Sequence, residues 1–91
     1  MNSTSQKFKL LVAEDEKMCQ MALKNFAKKL DIDIEIAENG QIAVEKAQAN
    51  NYNLVLMDMF MPVMGGKEAT EAIRKLQNGD KFIIYALSGC N

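Results

Sequence analysis

Ninety-one residues, 48% of them apolar and 25% charged, supply one small core and leave no room for a second domain. Eleven basic side chains against twelve acidic ones give a formal net charge of −1, which excludes the electrostatic footprint of a nucleic-acid or anionic-membrane binder. No apolar run approaches the length that crosses a bilayer, and Met1-Asn2-Ser3-Thr4-Ser5-Gln6-Lys7 has no signal-peptide core, so a cytoplasmic chain, or the cytoplasmic part of a larger one, is expected.

Residues 1 to 7 are small and polar and read as a mobile tail; the domain takes residues 8 to 91. Lys9-Leu10-Leu11-Val12-Ala13 has the pattern of a buried strand and runs into Glu14-Asp15-Glu16. Met18, Ala22, Phe26 and Leu30, at steps of four with Ala27 beside them, predict the inward stripe of an amphipathic helix, with Lys24, Lys28 and Lys29 in water. Ile32-Asp33-Ile34-Glu35-Ile36 alternates strictly, which suits an edge strand covered on one face, and Asn39-Gly40 turns the chain after it. Ile42, Ala43, Val44 and Ala47 form the inner face of a second helix.

The run Asn53 to Met57 is a third strand ending at Asp58, where a turn with Met61-Pro62 begins, because the residue before a proline is pushed out of the helical region. A third helix starts near Gly66, with Ala69, Ala72, Ile73 and Leu76 inward and Asn78-Gly79 closing it. Lys81 to Leu87 reads as a fourth, buried strand that ends on Ser88-Gly89. Cys19 and Cys90 lack metal-ligand spacing and read as reduced thiols.

Strands and helices alternate, and no two strands are near enough for a hairpin. Each helix is therefore a crossover, which predicts an α/β fold with a doubly wound parallel sheet in strand order 2-1-3-4. In such sheets ligands bind outside the carboxyl ends of the strands, where the strand order reverses. That point lies between the first and third strands. Glu14, Asp15 and Asp58 should meet there, with Ser88 at the end of the neighbouring strand. Like charges about 4 Å apart cost roughly 4 kcal/mol per pair at an effective dielectric of about 20, so either protons or a cation must sit among them. A chain without histidine offers oxygen ligands, which suit Mg2+ better than zinc. Each acid alone reads equally well as a helix cap or loop anchor; their coincidence on one sheet edge points to chemistry. Met57, Met59, Met61 and Met64 read as packing around Asp58.

Ala13-Glu14-Asp15-Glu16, the run Met57-Asp58-Met59-Phe60-Met61-Pro62-Val63-Met64-Gly65-Gly66, and Ala86-Leu87-Ser88-Gly89 together resemble the three signatures of the response-regulator receiver domain of two-component phosphorelays. The resemblance covers residues 9 to 91 and implies a flavodoxin-like, CheY-like fold. It implies that Asp58 accepts a phosphoryl group from a phosphohistidine on a histidine kinase or histidine phosphotransfer protein. Asp15, Asp58 and the backbone carbonyl of Phe60 would hold Mg2+, with Glu14 acting directly or through water, and Ser88 would bond a phosphoryl oxygen and couple the site to a change of state. Phe60 lies where this family controls water access to the phosphoryl group, which implies slow loss of phosphate.

A receiver has five strand-helix units, and here the fifth strand and the last two helices are absent, together with the family's lysine at the end of strand 5 and its strand 5 aromatic. The expectation is a C-terminally truncated receiver, a fragment of a longer receiver or of a hybrid histidine kinase, with an unpaired strand 4 edge open to oligomerisation or strand exchange. Gly65 stands where the family has Asp or Asn. Two alternatives stay open: a receiver-like interaction module that is not phosphorylated, and a Mg-dependent aspartyl phosphatase, although Phe60 occupies the place of that class's second acid. A flavin binder is disfavoured because Glu14-Asp15-Glu16 would repel a phosphate.

Overall fold

The computed structural model describes residues 7–87. The elements run β1 (Lys9–Ala13), α1 (Lys17–Lys29), β2 (Asp33–Ala37), α2 (Gly40–Ala49), β3 (Leu54–Asp58), α3 (Gly66–Arg74), a short 3-10 turn (Gly79–Lys81) and β4 (Ile84–Leu87). All pairings are parallel and the order is β2-β1-β3-β4, the doubly wound sheet that the alternation predicts. Leu11 lies level with Glu35 and Val55, and Val55 with Ile84, so alternate residues of neighbouring strands share a face.

One face carries the main core. Leu11, Ala13, Ala37, Val55 and Met57 from the sheet meet Ala43 and Ala47 of α2 and Ala69 and Ile73 of α3, with Tyr52 and Phe82 closing the lower edge. Alanine at the helix positions lets α2 and α3 lie close to the strands. Ile42, Val44 and Leu76 pack around this centre, as the helical periodicity expects, and Met61 and Met64 from the loop after β3 join them. Asn39 caps α2 by accepting a hydrogen bond from the Ile42 amide at 2.9 Å. Gly40 is obligatory because a Cβ there would overlap the Met64 carbonyl oxygen.

On the other face, where Leu10 and Val12 are buried, α1 packs against β2, but not with the stripe read from the sequence. Met18, Phe26 and Leu30 are 81%, 65% and 65% exposed, and Ala22 is exposed with them. Cys19, Gln20 and Ala27 are buried instead. The helix carries two apolar stripes about one residue apart, and its ends decide which one turns inward. The Ile32 amide donates to the Ala27 carbonyl at 2.8 Å below, and the Gln20 side chain donates to the Glu14 carbonyl at 2.6 Å above.

The fourth strand also differs from the expectation: it begins at Ile84, not Lys81, and it is not buried. Arg74 Nη1 donates to the Gly79 and Phe82 carbonyls at 2.8 and 2.6 Å, which winds residues 79–81 into a turn and sends Phe82 into the core. Ile84 packs against the core, whereas Ile83 and Tyr85 are exposed because β4 is an edge strand and no described element covers their face.

Candidate functional site

The register of β1 against β3 sets Ala13 beside Met57, so the residues that follow each strand emerge together at the carboxyl edge. Glu14, Asp15 and Asp58 each place a carboxylate oxygen within 4.8 Å of the others. Asp15 is exposed, whereas Glu14 and Asp58 are buried.

Glu14 is held at three points. Its amide donates to the Ala37 carbonyl at 2.9 Å, its carbonyl accepts from Gln20 Nε2, and its Oε2 accepts from the Glu16 amide at 3.0 Å. Its other oxygen, Oε1, is buried without a hydrogen-bond partner. Burial pushes the Glu14 carboxyl above the ordinary carboxylate range; the Glu16 amide opposes this, and the charges of Asp58 and Asp15 add to the rise. A carboxylate only 1% exposed, with one oxygen that accepts no hydrogen bond and two more acids close by, is expensive in the absence of a cation.

Asp58 Oδ1 accepts from the Phe60 amide at 3.2 Å, while the Phe60 side chain projects into solvent. Gly66, at the start of α3, approaches so closely that a Cβ would overlap the Asp58 carbonyl oxygen. Its amide donates to the Met59 carbonyl at 3.2 Å, tying the loop after β3 to α3. Gly65 is the N-cap of α3 and supplies no side-chain bond, the weakened cap that its lack of a side chain implies.

Three of the acids singled out in the sequence therefore converge, and Phe60 stands beside them. Ser88 lies outside the described residues, as does Cys90. Gln20 was missed. The stripe through Met18 and Phe26 puts it on the solvent side, and its single signal in the sequence is a long amide side chain in the first turns of a helix that follows an acidic loop.

The donor set is all oxygen, with one buried oxygen unsatisfied, and it fits a small hard cation such as Mg2+. No helix among the described residues is long and apolar enough to cross a membrane.

Residues 10–90 match the family model of the response regulator receiver domain. The oxidative stress response two-component system protein SSK1 of Candida albicans is 40% identical over 76 residues, which are 84% of this chain and 11% of that protein. Among solved structures, the receiver domain of the sensor histidine kinase PA1611 from Pseudomonas aeruginosa, with a magnesium ion in its active-site cleft, superposes with a TM-score of 0.87 at 30% identity. That match covers 91% of this chain and 68% of the other. The receiver domain of Ssk1 from Saccharomyces cerevisiae, crystallised with the histidine phosphotransfer protein Ypd1, gives a TM-score of 0.85 at 30% identity, covering 98% of this chain and 68% of the other. The chain thus spans about a tenth of the curated relative and about two thirds of the solved receivers. In family model, sheet order and site geometry alike, this chain belongs to the response regulator receiver domains.

Proposed function

We propose that this chain is the phosphoacceptor of a phosphorelay, with Asp58 taking a phosphoryl group from a phosphohistidine on a histidine kinase or histidine phosphotransfer protein. The observation that carries this reading is the convergence of Asp58 with Glu14 and Asp15 around a buried, unsatisfied carboxylate oxygen. The side chains of Asp15 and Asp58 and the backbone carbonyl of Phe60 would hold Mg2+, with Glu14 binding directly or through water. When bound, Mg2+ would draw charge from the phosphoryl oxygens. An Asp58 oxygen attacks phosphorus in line, the P–N bond of the phosphohistidine breaks, and the imidazole leaves with the bonding pair and takes up a proton. The product is an acyl phosphate, whose lability makes the mark temporary.

Ser88 would bond a phosphoryl oxygen and transmit the change to the end of β4. On this reading the chain turns over no substrate of its own and works in the cytoplasm. The partner class is supported by the Ssk1 receiver, which crystallised with a histidine phosphotransfer protein, and the metal by the PA1611 receiver, which carries magnesium.

Incubation with Mg2+ and acetyl phosphate tests the reading by intact mass. One added phosphate that Asp58→Asn abolishes is the expected result. An absent adduct indicates an interaction module instead, and steady hydrolysis of a phosphomonoester indicates a phosphatase.

A further inference from the structure

Gln20 is only 6% exposed, and both of its ends are committed to the loop between β1 and α1. Its backbone amide donates to the Glu16 carbonyl at 3.0 Å, as the first bond of the helix, while its side-chain Nε2 reaches back to the Glu14 carbonyl at 2.6 Å. That carbonyl belongs to the rigid peptide unit joining Glu14 to Asp15, so fixing it fixes the direction in which both carboxylates leave the chain. Glu16, the N-cap of α1, supplies no side-chain cap, and the Gln20 side chain ties the helix to the acidic loop from within its first turns. Glu14 is held at its other end as well, where its own backbone amide donates to the Ala37 carbonyl at 2.9 Å. Glu14 is thus clamped between β2 and α1, while its buried Oε1 accepts no hydrogen bond.

We infer that Gln20 is a positioning residue for the metal site, setting Mg2+ affinity through the Glu14–Asp15 peptide without touching the ion. This rests on the reading of Glu14, Asp15 and Asp58 as a Mg2+ site. Removal of a partner that orients a metal ligand from behind typically weakens metal affinity by about 10- to 100-fold.

The test uses the full 91-residue chain, 15N-labelled, titrated with MgCl2 and followed by amide chemical shifts, with urea unfolding recorded alongside. Gln20→Met keeps the length and removes the donor. It should weaken Mg2+ binding by about tenfold and, in the metal-free protein, shift the amides of residues 14 to 16. Gln20→His keeps a ring N–H at similar reach and should bind within about threefold of wild type, a rescue that lost packing would not give. Gln20→Ala, which adds no bulk, gives the same reading should the Met variant not fold. A loss below threefold for the donor-less variants overturns the inference, as does an equal loss in the His variant. A wild-type chain without any Mg2+-dependent shift overturns the metal reading itself, and the two failures are therefore distinguishable.

Discussion

The carboxylates of Glu14 and Asp58, which leave the sheet from adjacent parallel strands, approach within 4.8 Å, and the Glu14 oxygen that accepts no hydrogen bond is buried. Replacing that charge by a neutral amide should stabilise the metal-free fold and weaken the metal site. Burial raises the pKa of Glu14, so its contribution to stability is complete below its ordinary value of 4.5 and is lost as pH rises through the raised one. Glu14→Gln should therefore gain about 1 kcal/mol in EDTA at neutral pH and lose that gain in acid. The stabilisation that MgCl2 gives the wild type should fall by more than half in the variant, measured by urea unfolding with and without the ion.

Gly66 touches the backbone that carries Asp58, so Gly66→Ala should act on the site as well as on stability. The new methyl group would overlap the Asp58 carbonyl oxygen and come to 2.9 Å from Met57 Cγ, and neither backbone nor buried side chain can yield cheaply. A loss of about 2–3 kcal/mol is expected, with a slower reaction towards acetyl phosphate in whatever fraction stays folded.

Val63 is exposed and has φ 70°, a left-handed conformation that a β-branched residue resists. Val63→Asn or Val63→Gly should raise stability by about 1 kcal/mol, since no packing is lost, and thermal unfolding would show the gain.

Tyr52 is buried at the lower edge of the core, its hydroxyl donating to Glu35 Oε1 at 2.5 Å, with Lys46 Nζ at 3.7 Å from the same oxygen. Burial, and then the bond to Glu35, raise its pKa well above the ordinary 10. The stabilisation is therefore complete below pH 10 and lost as pH rises beyond it, because the unfolded chain releases its proton first. Tyr52→Phe should cost about 1–2 kcal/mol at neutral pH, and the gap from wild type should narrow above pH 10 in urea titrations.

Phe60 projects into solvent beside Asp58 and supplies no polar group that could orient a water for attack on the phosphoryl group. Phe60→Asn should shorten the lifetime of the phosphorylated form by about tenfold, a change of about 1.4 kcal/mol in the barrier. Equal decay in the two proteins, followed by intact mass after removal of the phosphodonor, would count against the shielding role.

The sequence alone determined the sheet and the meeting of the acids. Short uninterrupted apolar runs such as Leu10 to Ala13 and Leu54 to Met57 suit central strands, and helical spacing between them forces crossovers, so Ala13 and Met57 finish side by side and bring Glu14, Asp15 and Asp58 to one edge. The tertiary structure decided what periodicity leaves degenerate. In α1 the stripe through Met18, Phe26 and Leu30 and the stripe through Cys19 and Ala27 are equally helical, and two hydrogen bonds at the helix ends, neither visible in a one-dimensional pattern, selected the second and buried Gln20 against the loop it anchors. In β4 the apolar run from Phe82 reads as continuous strand, yet Arg74 holds the chain in a turn through Lys81 and the strand begins only at Ile84. Hydrophobic spacing records which residues prefer to leave water; which neighbours receive them depends on contacts between segments far apart in the chain.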